Sequence, residues 1–213
     1  MSATAAERTL LVIAKEPAPG RVKTRLTPAF TPEQAALLAR ASLSDTLHAV
    51  LATPADRHVL VLAGAPGDWL PDGFDVRAQC DGSLDVRLAA AFAACAGPTL
   101  LIGMDTPQVT PALLAAGLDF AGCDARFGPA ADGGFWALGL REPDAALLRG
   151  VPMSRPDTGA LQRRRLVAAG LAVRDLPTLR DVDTADDAQA VAALAPDGRF
   201  AAAHAEMTGV RAW

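Results

Sequence analysis

The spacing of apolar positions alternates between two patterns along the chain. Thr9 to Ala14 is a short, nearly continuous apolar run that ends in a loop containing Pro17, Pro19 and Gly20, the pattern of a strand buried on both faces of a parallel sheet. Thr31, Pro32 and Glu33 then make a helix start, with a cap, a proline in the first turn and an early acid. Ala35, Leu38, Ala39, Leu43 and Leu47 follow at helical spacing, so this helix is expected to reach about Ala52. His58 to Ala63 predicts a second strand, Ser83 to Ala96 a second helix stopped by Gly97 and Pro98, and Thr99 to Gly103 a further strand. Thr110 and Pro111 open a helix to about Ala121, and Asp124 to Phe127 and Phe135 to Leu140 predict two strands around a glycine-rich turn. A helix from about Pro156 to Ala169, a strand from Ala172 to Leu176 and a helix from about Ala185 to Ala195 complete the series. Such alternation is the mark of βαβ units, and it predicts an α/β fold with a mainly parallel sheet.

No repeat or linker divides residues 1–195, which read as one domain. The stretch 196–213 is alanine-rich and lacks a clear strand or core pattern, so it reads as a loosely attached tail. A chain of 213 residues fits one α/β domain and buries roughly 70% of the surface of its unfolded form. A hydrophobic share of 51% with 21% charged residues argues for a folded globular protein.

The formal charge of −4 gives no global attraction to polyanions, which points away from nucleic acid and membrane surfaces as partners. Any phosphate ligand must then be held by local cations. Apolar runs such as Leu10 to Ala14 fall far short of the roughly 20 residues that span a bilayer. The first residues show no basic segment followed by an apolar one, and the expectation is a cytoplasmic protein. Cys80, Cys95 and Cys123 are odd in number and widely spaced, which speaks against a disulfide framework or a zinc site. No G-x-S-x-G elbow accompanies the isolated His48, His58 and His204, so a serine hydrolase is not indicated.

In open α/β sheets ligands sit beyond the carboxyl ends of the strands, and the polar motifs fall there. The loop Lys15-Glu16-Pro17-Ala18-Pro19-Gly20-Arg21-Val22-Lys23-Thr24-Arg25-Leu26 carries four cations after the first strand. Gly20 lets backbone approach a phosphate there, and Lys23 and Arg25 can neutralise it. Gly103-Met104-Asp105-Thr106-Pro107 sends a carboxylate out of a buried strand, where it suits either a hard cation or a turn. Thr110 is the better cap for the helix that follows. Asp132-Gly133-Gly134-Phe135-Trp136 is a tight turn entering a strand, open to close approach by a ligand or serving only as a hairpin. Asp181-Val182-Asp183-Thr184-Ala185-Asp186-Asp187 puts Asp181 and Asp183 on one side of an extended segment, with Asp183 or Thr184 available as a helix cap. Asp105 and Asp183 together would supply the paired carboxylates that Mg²⁺ favours beside substrate phosphates.

In combination these four motifs resemble the radical-SAM/selenodomain-associated transferase 1 family, a GT-A-like group of the nucleotide-diphospho-sugar transferase superfamily. The segment from Lys23 to Pro28, continued to Asp45 and Leu47, is similar to the start of 2-phospholactate guanylyltransferases, and the closing acidic motif to that of molybdenum-cofactor guanylyltransferases. The resemblance implies a GT-A, Rossmann-like three-layer sandwich and a Mg²⁺ or Mn²⁺ ion on Asp105 and Asp183. By the same resemblance Lys15, Pro19, Gly20, Lys23 and Arg25, with Gln79 and Gly82, would bind the nucleotide. Asp132, Gly133, Gly134, Trp136 and Ser154 would face the acceptor, and Lys23, Arg25 and Asp105 would carry catalysis. The chain departs from the pattern at Asp85, where a glycine is expected, and at Met153 before Ser154, where relatives often carry tryptophan.

The resemblance implies nucleotidyl or glycosyl transfer, and the basic loop favours nucleotidyl transfer, in which a phosphorylated or acidic small acceptor attacks the α-phosphorus of an NTP and pyrophosphate leaves. Glycosyl transfer from a nucleotide-sugar is the alternative, and a nucleotide-binding protein without turnover is a third. The partners are then a nucleotide and a small-molecule acceptor, with the chain a monomer or homodimer.

Overall fold

The first apolar run forms β1 (Thr9–Lys15), near the middle of a seven-stranded sheet in a computed structural model that describes residues 6–209. The other strands are β2 (Arg57–Ala63), β3 (Asp75–Ala78), β4 (Thr99–Ile102), β5 (Ala125–Pro129), β6 (Phe135–Leu140) and β7 (Val173–Asp175), in the order β3-β2-β1-β4-β6-β5-β7. β1 pairs in parallel with β2 and β4, β2 with β3, and β5 with β7. β6 runs against both of its neighbours. Six strands therefore end on one rim of the sheet, and β6 begins there.

The helices are α1 (Pro32–Leu51), α2 (Leu84–Ala93), α3 (Pro111–Gly117), α4 (Thr158–Ala168), α5 (Ala185–Leu194) and α6 (Arg199–Thr208). Side chains alternate across a strand, and β1 uses this to serve two cores. Leu10, Val12 and Ala14 pack with Leu43 and Leu47 of α1 and Leu114 of α3, while Leu11 packs with Leu88 and Phe92 of α2 and Leu166 of α4. The result is a three-layer α/β/α sandwich with helices on both faces of a mainly parallel sheet, as expected. Among the described residues no helix is long and apolar enough to cross a membrane.

Three elements differ from the sequence reading. β3 is a short edge strand whose residues are largely exposed, so it has no apolar run to announce it. α3 stops at Gly117 instead of Ala121, because the Asp119 carboxylate accepts from the Ala121 amide at 2.9 Å, a local turn that competes with the helix. The stretch from Pro196, read as lacking a core pattern, contains α6, whose Phe200 is buried with Leu26, Phe30, Leu38 and Val191. Its cap comes from a distant residue: Asp45 on α1 accepts from the amides of Arg199 (3.0 Å) and Phe200 (2.9 Å). Residues 210–213 of the expected tail lie outside the described residues.

Candidate functional site

The strand-end rim frames a cleft of about 1320 Å³. Asp105 leaves β4 and enters it, free of capping duty because Thr110 caps α3 by accepting from the Leu113 amide at 3.2 Å. Thr184 likewise caps α5 through a reciprocal bond with Asp187, which leaves Asp183 available. The segment carrying Asp183 is clipped to the end of β4 by backbone, with the Val182 amide donating to the Asp105 carbonyl at 3.0 Å.

Lys23 lies between the two acids. Its Nζ is 2.8 Å from Asp105 Oδ1 and 3.2 Å from Asp183 Oδ1, and the side chain is only 7% exposed. Burial works to lower its pKa, but attraction and hydrogen bonding to Asp105, and then to Asp183, outweigh burial and hold it above the ordinary lysine value. Arg25 Nη1 reaches the other oxygen of Asp183 at 2.9 Å. Both cations expected to face phosphate are thus paired with carboxylates.

Across the cleft the turn before β6 presents Asp132. Because β6 is antiparallel, this turn stays on the same rim as the ends of β1 and β4. Asp132 Oδ1 accepts from the Gly134 amide at 2.8 Å, and the Gly133 carbonyl accepts from the Gly159 amide of α4 at 2.8 Å. Asp132, Asp181 and Asp183 each bring a carboxylate oxygen within 4.8 Å of the others. Asp181 is pushed up to about 6, first by burial and then by the charges of Asp132 and Asp183, against a smaller opposing pull from Lys23. Next to Asp105, Thr106 is buried and its Oγ1 has no hydrogen-bond partner, although the residue lines the cleft.

Of the residues the sequence singled out, Lys15, Lys23, Arg25, Gln79, Asp105 and Asp183 meet along this cleft. Asp132, Gly134, Trp136 and Ser154 line it from the other side. Pro19, Gly20, Gly82 and Gly133 do not line it. Trp136 is 3% exposed and its indole N–H donates to the Pro177 carbonyl at 3.0 Å, so its ring serves chiefly the core. The Gln79 amide nitrogen donates to the carbonyls of Ala14 (2.7 Å) and Val61 (3.1 Å), which ties it to β1 and β2.

Four residues beyond those candidates also belong to the site. Arg21 and Arg87 line the cleft, as does Asp85, which links α2 to the opposite wall by accepting from the Gly150 amide at 2.7 Å. Asp181 joins the acidic group. Arg21 was visible as one of four loop cations, and Asp181 by its alternation with Asp183. Asp85 stood out only as a departure from an expected glycine, because its partner lies across the cleft.

The family described as "Uncharacterized protein conserved in bacteria (DUF2064)" matches residues 37–155, which include Gln79, Asp105, Asp132 and Ser154. No curated protein matches the chain. Among solved structures, a candidate nucleotide-diphospho-sugar transferase from Desulfovibrio desulfuricans G20 is 26% identical, covers 95% of each chain and superposes with a TM-score of 0.85. Rv0371c from Mycobacterium tuberculosis H37Rv in complex with manganese is 24% identical over 88% of this chain and 98% of its own, with a TM-score of 0.50. A CMP:2-keto-3-deoxy-manno-octonic acid synthetase complexed with CTP is 13% identical over 90% of this chain and 99% of its own, with a TM-score of 0.57. The fold is accordingly the GT-A-like fold of nucleotide-diphospho-sugar transferases.

Proposed function

The chain belongs to the DUF2064 family of proteins conserved in bacteria, and on that premise we propose that it is a nucleotidyltransferase dependent on Mg²⁺ or Mn²⁺. It moves a nucleoside monophosphate from an NTP to a small phosphorylated or acidic acceptor. The observation that carries this reading is the meeting of Asp105 and Asp183 across Lys23, on a cleft whose wall also bears Lys15 and Arg21. Among the described residues neither Lys15 nor Arg21 is paired with a carboxylate. A cationic wall opposite converging acids suits a triphosphate carried with a divalent ion.

The donor set fits such an ion. Carboxylate oxygens are hard ligands, and those of Asp132, Asp181 and Asp183 lie within 4.8 Å of one another, with Asp105 joined to this trio through Lys23, a chemistry matched to Mg²⁺ or Mn²⁺ rather than to softer metals. Asp183 and Asp105 would hold it, with Asp132 and Asp181 at hand, and when bound it supplies neutralising charge at the reacting phosphates. Lys15 and Arg21 grip the β- and γ-phosphates. Lys23 and Arg25 stabilise charge building on the departing pyrophosphate as an acceptor oxygen forms its bond to the α-phosphorus. The acceptor enters from the side of Asp132, Gly134 and Ser154.

The resemblance of the four motifs to the radical-SAM/selenodomain-associated transferase 1 family supports the same reading, as do the CTP and manganese held by structures of the same fold. Glycosyl transfer is favoured by one observation, the description of the Desulfovibrio protein as a candidate nucleotide-diphospho-sugar transferase. The number of cations on the β1 loop supports nucleotidyl transfer, because a triphosphate brings more negative charge to that loop than a diphosphate-sugar does. Incubation with Mg²⁺, candidate acceptors and each NTP or UDP-sugar separates the readings. Pyrophosphate release is the expected result, nucleoside diphosphate release assigns glycosyl transfer, and tight nucleotide binding without consumption reduces the protein to a binder.

A further inference from the structure

We propose that Lys23 is a resident counter-ion which the divalent cation has to displace, so that cation and nucleotide bind this cleft cooperatively. The inference rests on the nucleotidyl-transfer reading of the same site and adds how that site is loaded.

The Lys23 ammonium contacts Oδ1 of both Asp105 and Asp183. A divalent ion bridging those same oxygens would sit about 2.1 Å from each, which leaves no room for an ammonium between them. The two occupants exclude each other. With its side chain 7% exposed, Lys23 is shielded from solvent, and a buried ammonium that loses its carboxylates without gaining another anion is strongly disfavoured. Arg25 remains on the far oxygen of Asp183 at 2.9 Å, and the other charges facing the pair, Asp132 and Asp181, are acids. The chain itself therefore offers the divalent ion a carboxylate pair already occupied by an ammonium, and offers Lys23 no anion beyond the acids that the ion itself would draw on.

A nucleotide changes this. Its phosphates, drawn to Lys15 and Arg21 on the same cleft, supply an anion to which Lys23 can transfer, and the vacated carboxylates then take the divalent ion. Linkage makes the effect reciprocal: whatever the nucleotide adds to cation affinity, the cation adds to nucleotide affinity. Lys23 is thus a positioning residue before it is a phosphate ligand.

The test is calorimetric titration of Mn²⁺ into metal-stripped, full-length protein, alone and with CTP or GTP present. Lys23→Asn removes the charge, and asparagine tolerates the left-handed backbone observed at this position, φ 50° and ψ 36°. Lys23→Gly provides a second neutral variant, and circular dichroism confirms that each is folded. Without nucleotide, both neutral variants are expected to bind Mn²⁺ about tenfold more tightly than wild type, and Lys23→Arg to bind as weakly as wild type. With nucleotide the wild type gains affinity and the neutral variants gain less. Equal or weaker Mn²⁺ binding by the neutral variants overturns the proposal. If they bind Mn²⁺ more tightly while no nucleotide affects any form, the counter-ion role stands and nucleotidyl transfer falls. If wild type gains affinity with nucleotide but the neutral variants show no advantage without it, the counter-ion role falls and nucleotidyl transfer stands.

Discussion

Replacing Asp181 by Asn probes the acidic side of the cleft without touching Lys23. The carboxyl is raised from the ordinary 3.8 to about 6 in the folded protein, chiefly by burial and then by Asp132 and Asp183. A raised folded value means that folding favours the protonated form. The associated stability is fully present below pH 3.8 and is lost as pH rises through about 6. At roughly 1.4 kcal/mol per pKa unit the ceiling is about 3 kcal/mol, and partial solvent access to the group reduces this to about 1 kcal/mol. Asn is nearly isosteric and carries no charge at any pH, so the variant escapes the loss. Urea unfolding of wild type and Asp181→Asn in chelator, at about pH 4.5 and about pH 7.5, reads the effect as a difference that shifts by about 1 kcal/mol toward the variant at the higher pH. A difference independent of pH, or one that moves toward wild type, refutes the reasoning.

Three further outcomes follow from the geometry. If the cation held by Asp105 supplies ~4 kcal/mol of transition-state stabilisation, Asp105→Ala slows pyrophosphate release about a thousandfold, and an unchanged rate removes Asp105 from the mechanism. Phe200→Ala empties a site 2% exposed between α1, α5 and α6, and chemical denaturation should show a loss of about 3–4 kcal/mol. Gly159→Ala would gain about 1 kcal/mol from helix propensity alone. Its new Cβ would instead collide with the Gly134 carbonyl, so a net loss of about 1–3 kcal/mol is expected in thermal unfolding.

What could be read from the chain in advance was whatever is encoded locally. β1 and α1 announce themselves through an unbroken apolar run and through Thr31, Pro32 and a helical stripe, and both form close to the expected bounds. Asp105 and Asp183 could be nominated because each follows a strand or precedes a capped helix. Features that depend on a distant partner were invisible. α6 has no cap of its own, since Asp45 supplies it. Lys23 and Arg25 look like free phosphate ligands in the sequence, and only the fold shows that they already hold aspartates. Asp85 looks like a departure from a family glycine, and only the fold shows it bonded to the Gly150 amide. Burial likewise raises Asp181, a property no spacing rule conveys.

The contact between the turn before β6 and the start of α4 has a mechanical consequence. Main chain meets main chain there: the Gly133 carbonyl takes the Gly159 amide, and a side-chain carbon at either glycine would strike the opposing backbone. No lever arm of side chains lies between them to absorb displacement. A compound pressing on Ser154 or its neighbours would shift Asp132 in step. Any side chain at Gly133 or Gly159 would break this joint.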